Sequence, residues 1–226
     1  MTPEVAIAQL ERHSVPGKAA DMAVYHKADR QYLGVSNPDI DAAVKTWRAA
    51  LDLDQRVALS AGLWKSDIHE ARIAAAKLLT QARLKPDDRA AWDLIADWVP
   101  EFDAWAVADH ASIAGQKRLV ASPSRLNQVE NWTLLDHMWT RRAALVMTLP
   151  WAKMNTPKPD QLAARQRILG WAAAYVADRN WFIQKAVAWW LRDLSKRDPA
   201  TVRDFLDNHD ATMKPFARRE ASKYLG

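Results

Sequence analysis

The chain has 226 residues, a formal net charge of +5, a pI near 9.5, twelve tryptophans and no cysteine. The length suits one core or a short array of repeats, and the missing cysteines exclude disulfides and thiolate metal sites. No apolar run reaches the ~18 residues of a membrane span, and the opening Met1-Thr2-Pro3-Glu4-Val5 lacks the basic and long apolar regions of a signal peptide. The expectation is therefore a cytoplasmic protein with no membrane partner, whose basic charge suits an anionic one.

Glycine is scarce and Ala, Leu, Arg and Lys dominate, a composition that favours helix. Apolar periodicity predicts helices near 3–13 and 18–27. Ser36-Asn37-Pro38-Asp39 is a cap followed by proline in the first turn and opens a helix over 38–52. Further segments follow at 55–65 and 68–83, and Lys85-Pro86-Asp87-Asp88 starts another at 87–99 with acidic residues in its first turn. The pattern continues over 102–120, 123–133 after Ser122-Pro123, 136–149 and 158–177. It ends with 180–196, 199–208 after Asp198-Pro199 and 214–224. No period-2 alternation persists, so no sheet is expected. Short helices in antiparallel pairs, at the roughly 35–45-residue spacing of HEAT-like repeats, predict an all-α, curved solenoid of the HEAT/ARM kind. Residues 1–226 read as a single repeat domain and a monomer. A long polymer would lie on the concave face.

Residues 181–192, Trp-Phe-Ile-Gln-Lys-Ala-Val-Ala-Trp-Trp-Leu-Arg, carry the strongest chemical signal. At about 100° per residue, Trp181, Lys185 and Trp189 share one helix face with Arg192 a turn beyond, while Ile183, Val187, Trp190 and Leu194 form a core stripe. Interleaved indoles and cations suit a polyanion carrying flat bases or sugars. A buried tryptophan beside a snorkelling lysine would produce the same spacing. His69-Glu70 has no second histidine at the spacing of a zinc motif and reads as structural. The other histidines are scattered, so no metal ligand set and no cofactor are expected. Arg165 and Arg167 read as a solvated face, and Lys214, Arg218, Arg219 and Lys223 as a C-terminal basic cluster.

Three segments recur in one known family: Leu63-Trp64-Lys65-Ser66-Asp67-Ile68-His69-Glu70-Ala71-Arg72, Trp139-Thr140-Arg141-Arg142-Ala143-Ala144-Leu145-Val146, and Trp181–Arg192 with its Phe182-Ile183-Gln184-Lys185-Ala186. Upstream, Met22-Ala23-Val24-Tyr25 followed by Tyr32-Leu33-Gly34-Val35-Ser36-Asn37-Pro38 adds a fourth. In this order, over residues 18–225, the chain resembles the bacterial DNA alkylation repair family. The resemblance implies HEAT-like repeats gripping duplex DNA, and removal of 3- and 7-alkylated purines whose positive charge weakens the glycosidic bond. It implies two tryptophans and an aspartate against the sugar, where a cationic oxocarbenium develops.

By position, the resemblance assigns the tryptophans to Trp92 and Trp189, a DNA-contacting arginine to Arg142 and a DNA-contacting tyrosine to Tyr25. Lys185, Trp181 and Arg192 extend the DNA-binding set. The family aspartate, four residues after Trp92, is here Ala96. The nearest carboxylate is Asp97, about 100° round a regular helix, and Asp136 is a second substitute. Three functions stay open: an alkylpurine DNA glycosylase using Asp97, a non-catalytic binder of damaged or branched DNA, and a helical adaptor for an acidic protein. The first two place the protein on the nucleoid when DNA is bound.

Overall fold

The computed structural model describes residues 1–209 and 211–225. Its contacts gather into two units, Met1–Ala121 and the chain from Ser122 onward. The first unit holds α1 (Pro3–Glu11), α2 (Lys18–His26), α3 (Asn37–Ala50), α4 (Leu53–Lys65), α5 (His69–Leu78), α6 (Arg89–Trp98) and α7 (Trp105–Ala121). The second holds α8 (Leu126–Trp132), α9 (Met138–Met147), α10 (Leu149–Lys153), α11 (Pro159–Tyr175), α12 (Trp181–Ser195), α13 (Pro199–His209) and α14 (Pro215–Ala221). Single 3-10 turns precede α7 at Val99–Glu101 and α8 at Pro123–Arg125. Among the described residues there is no strand, only the isolated bridge between Gln31 and Ile68. The all-α expectation holds.

Local chemistry sets the helix starts. Ser36 Oγ accepts the Asp39 N–H at 3.3 Å, and Pro38 occupies the first turn of α3, as the sequence predicts. Asp52 and Gln55 form a reciprocal capping box on α4, at 2.8 and 3.1 Å. Asn180 caps α12 by accepting the Phe182 N–H at 2.8 Å. The segment expected as one helix over 136–149 is two. Thr148 leaves the helical region at φ −95° and ψ 5°, and its hydroxyl donates to the Ala144 and Leu145 carbonyls, both at 2.9 Å. Pro150 has no N–H to continue α9 and sits instead in the first turn of α10.

In the first unit α3, α5 and α7 pack in succession, with α4 against α5 and α6. In the second, α9, α12 and α14 pack in succession, and α12 also touches α10, α11 and α13. Hydrogen bonds between helix pairs recur one repeat apart in sequence. Examples are Trp47 to Gln9 at 38 residues, Trp64 to Glu101 at 37, Arg141 to Asp178 at 37 and Trp190 to Thr148 at 42. That period matches the spacing read from the sequence and marks stacked helix pairs within each unit.

The buried polar residues explain how the pairs are joined. Glu70, with no exposed surface, accepts the backbone N–H groups of Leu33, Gly34 and Val35 at 2.9, 2.8 and 3.2 Å. Gly34 adopts φ +78°, and a Cβ there would meet the Ala19 nitrogen at 3.0 Å. Arg165 is buried and donates to the carbonyls of Trp151 and Met154 at 3.0 and 2.9 Å. Arg167 forks onto Glu130, whose Oε1 also accepts the Trp171 indole N–H at 2.9 Å. The expectation of a solvated Arg165–Arg167 face is thus corrected for Arg165, which is buried on backbone carbonyls, while Arg167 stays at a partly solvated surface, where it pairs with Glu130. Glu130 is held down to about 2, first by the Arg167 hydrogen bond and then by that of Trp171.

His69 is 1% exposed and its ring lies 4.3 Å from that of His26 and 4.8 Å from that of Tyr32. Neither of its ring nitrogens has a hydrogen-bond partner among the described residues. Burial, then the charges of His26, Arg30 and His110, push its pKa down from 6.5 to about 3. The unfolded chain takes up a proton below about 6.5 that the folded chain refuses until about 3. Stability is therefore complete above that window and falls as pH drops through it. Urea unfolding should give a lower midpoint at acid pH than at neutral pH, and His69→Phe should flatten that slope. An unchanged slope in the variant would remove His69 as its source.

Candidate nucleic-acid interface

Helix α12 presents one face outward. Trp181 is 50% exposed, Lys185 is exposed, and Trp189 and Arg192 are half-buried. The opposite face, Ile183, Val187, Trp190 and Leu194, is fully buried as the core stripe predicts. The outward Trp181 packs at a tilt against Phe216, 3.9 Å between ring centroids, and Trp139 of α9 packs at a tilt against Phe182 at 4.7 Å. Gln184, absent from the predicted set, holds the helix in place. Its amide nitrogen donates to the Val176 and Asp178 carbonyls, both at 2.8 Å, and its oxygen accepts the Lys214 N–H at 2.9 Å. The signal was its position beside Lys185 in a buried turn, but a glutamine there also suits a solvated face.

Trp189 lines a cavity of about 390 Å³ with Lys153, Arg192, Asp193, Lys196 and Arg197. Asp193 is the pivot, its side chain only 8% exposed, with Lys153 Nζ at 3.4 Å, Arg192 Nε at 3.7 Å and Lys196 Nζ at 4.0 Å. Arg192 also pairs with Glu220. The C-terminal basic cluster supplies a second cavity of about 430 Å³, lined by Met213, Pro215, Arg218 and Arg219.

The remaining expected residues lie elsewhere. Arg142 is 3% exposed, with its guanidinium 5.6 Å from the Trp139 ring centroid, so it does not present itself at the surface as a DNA contact. Its neighbour Arg141, turned away round α9, binds Asp178 at 2.9 Å. In the first unit Trp92 is 3% exposed and offers almost no indole face to a sugar. Ala96 is half-buried and Asp97 exposed. Helix α6 runs regularly through Trp98, so Asp97 lies about 140° round the axis from Trp92, and no distortion brings the two together. Asp136 is exposed in the turn before α9. Tyr25 is 68% exposed and stacks edge-on against Trp105 at 5.8 Å. Trp105, a half-buried indole that the sequence reading passed over, also touches His26 at 5.2 Å. Among the described residues no cluster of three or more metal-type ligands occurs, and no helix is long and apolar enough to cross a membrane.

The fold is that of an all-helical protein built from stacked helix pairs. A family model for DNA alkylation repair enzymes matches residues 6–225, and the chain belongs to that family. Among solved structures, a predicted DNA alkylation repair enzyme from Enterococcus faecalis is 22% identical, with 95% of this chain and 97% of that one covered at a TM-score of 0.77. AlkD2 from Streptococcus mutans is 19% identical over 99% of each chain at 0.66. At these identities the likeness speaks for the fold. Comparison with curated protein sequences gives no significant match.

Arg142 and Lys185 separate a structural role from a surface one. Arg142→Ala should lower the unfolding free energy by about 1–3 kcal/mol, because it removes a buried, ring-stacked guanidinium. Lys185→Ala should change it by less than about 0.5 kcal/mol. Equal stability losses in urea titrations of the two variants would refute that division.

Proposed function

We propose that this protein binds duplex DNA in alkylation repair, chiefly through the outward face of α12 and the cavity around Trp189. The observation that carries this is the set of cations left with donors to spare. The side chains of Lys153, Lys185, Lys196 and Arg197 donate no hydrogen bond to any described residue, Lys153 and Lys196 making only long ion pairs to Asp193, while Arg165, Arg167 and Arg141 are bonded within the fold. Unspent ammonium and guanidinium groups beside indoles suit phosphates carrying flat bases. Tyr25, standing out from α2, is a further contact for the first unit. The partner is double-stranded DNA with cationic alkylpurine lesions, as family membership suggests; the protein acts as a monomer on the nucleoid.

On this reading the chain recognises lesions without a carboxylate at the family position, because Ala96 has none to offer. A second reading keeps the glycosylase, which would hydrolyse the N-glycosidic bond with Asp97 as the group that stabilises the oxocarbenium or activates water. The exposure of Asp97 on α6, one residue beyond Ala96, is what favours it. Trp92 would act there by supporting the helix from the core, and Trp189 by facing the sugar.

Affinity for duplex DNA should fall steeply with salt. Four phosphate contacts imply a loss of about a hundredfold between roughly 50 and 200 mM salt. Salt-independent binding, or none at low salt, would favour the acidic-protein adaptor. Release of free base from methylated duplex DNA divides the other two readings. The binder reading expects no release by the wild type and release by Ala96→Asp. The glycosylase reading expects release by the wild type, abolished in Asp97→Asn with affinity nearly unchanged, since the charge that the carboxylate meets develops only in the transition state.

A further inference from the structure

The cavity around Trp189 differs in its charge balance from a strip that merely follows a DNA backbone. Four cations line it, Lys153, Arg192, Lys196 and Arg197, and one carboxylate, Asp193. Glu220, paired with Arg192 from outside the cavity, brings the carboxylates to two. Four positive and two negative charges leave a surplus of two. The distances to Asp193, 3.4 to 4.0 Å, exceed the 2.7–2.9 Å typical of charge-assisted hydrogen bonds. Asp193 therefore gathers the cations without saturating their donors. The side chains of Lys153, Lys196 and Arg197 donate no hydrogen bond to a described residue, although Lys196 Nζ also lies over the Tyr224 ring at 4.4 Å. The half-buried Trp189 indole supplies one apolar wall.

We infer that this cavity is a site for a terminal phosphomonoester of DNA, the phosphate-bearing end of a strand at a nick or gap. The inference rests on the DNA-binding reading above. A backbone diester carries one charge and two unbridged oxygens. A phosphomonoester near neutral pH carries close to two charges and three such oxygens. Two surplus charges and several unspent donors match the second. The volume of about 390 Å³ lies in the range of small-ligand clefts, so the terminal sugar can enter with its phosphate and rest against the indole. An uninterrupted duplex has no such end to insert. The site thus gives the protein a reason to remain where repair has opened a strand, beyond recognition of the alkylated base.

The test is fluorescence anisotropy with nicked duplexes that differ only at the break: a 5′-phosphate, a 3′-phosphate, hydroxyls on both sides, or the 5′-phosphate masked as its methyl ester. One phosphorylated end should bind about tenfold more tightly than the hydroxyl nick, the gain of charge-assisted hydrogen bonds, and the arm that does so identifies the end. The methyl ester, with a diester's single charge and two unbridged oxygens, should lose most of that gain. Replacing both exposed lysines, Lys153→Ala with Lys196→Ala, should bring the ratio to about one. Equal affinity for all four nicks, with duplex binding intact, would overturn the site and leave the DNA reading standing. A preference that survives the double substitution would also overturn it, since the end would then be read elsewhere. Failure to bind any duplex would remove the DNA reading and this ligand with it.

Discussion

Satisfying backbone groups at buried helix ends is the constraint on which this structure depends. The described residues form fourteen α-helices, most of them short, and each end leaves up to four N–H or C=O groups without an intrahelical partner. Buried ends need partners, and a small core has little water to offer. Here long polar side chains from adjacent helices reach in. Glu70 takes three N–H groups ahead of α3, and Gln184 takes two carbonyls beyond α11. Arg165 takes the carbonyls of Trp151 and Met154 about α10, Arg72 the Trp64 carbonyl in α4, and Arg118 the Gln81 and Ala82 carbonyls. Because each reaches into a neighbouring helix or turn, the same bonds that complete the ends lock helix to helix.

This solution divides the basic residues by type. Arginine offers several donors in a planar fork, which suits a row of carbonyls or a carboxylate. Arg118, Arg141, Arg165 and Arg167 are used in this way. Lysines at exposed positions have no such employment, and Lys153, Lys185 and Lys196 are left facing solvent around α12. The net charge of the chain is thus a poor guide to its binding surface, because a large part of its positive charge is spent on folding. Of what remains, Lys153, Lys185 and Lys196 lie in the second unit with Trp181 and Trp189, two of the four tryptophans that are not buried, while Lys45, Lys65, Lys85 and Lys117 are exposed in the first unit.

The start of α3 was legible because its signal is local, Ser36 before Pro38, whereas the capping box of Asp52 and Gln55 went unread and α4 begins at Leu53, two residues before the expected start. The division between α9 and α10 was legible in principle, since Pro150 cannot sit inside a helix, but apolar periodicity runs through Thr148 and hides the break. The core and outward faces of α12 were also read correctly from spacing alone. Side-chain fate in the other segments was not. Arg141 and Arg142 are adjacent, and sequence says only that they point apart, not that one is buried against Trp139 and the other bound to Asp178. Arg165 reads as a solvated residue because its acceptors are backbone carbonyls, which every residue has. Asp193 was invisible as a pivot because Lys153, one of the three cations it gathers, lies 40 residues away.

The electrostatics around Trp189 bear on the chemistry that the two readings dispute. An indole stabilises a developing oxocarbenium by its negative face, but cations nearby oppose that charge. The cavity beside Trp189 has more cations than carboxylates, and its one buried acid, Asp193, is already shared among three of them. It therefore attracts phosphate more strongly than it stabilises a cationic sugar. In the first unit the family position holds Ala96, and Trp92 is buried. Binding asks only for unspent donors and a stacking surface, both of which α12 supplies. Hydrolysis asks in addition for a negative group that no neighbour neutralises. The surplus of cations over carboxylates around Trp189 meets the first demand, and Asp193, shared among three cations, is not such a group.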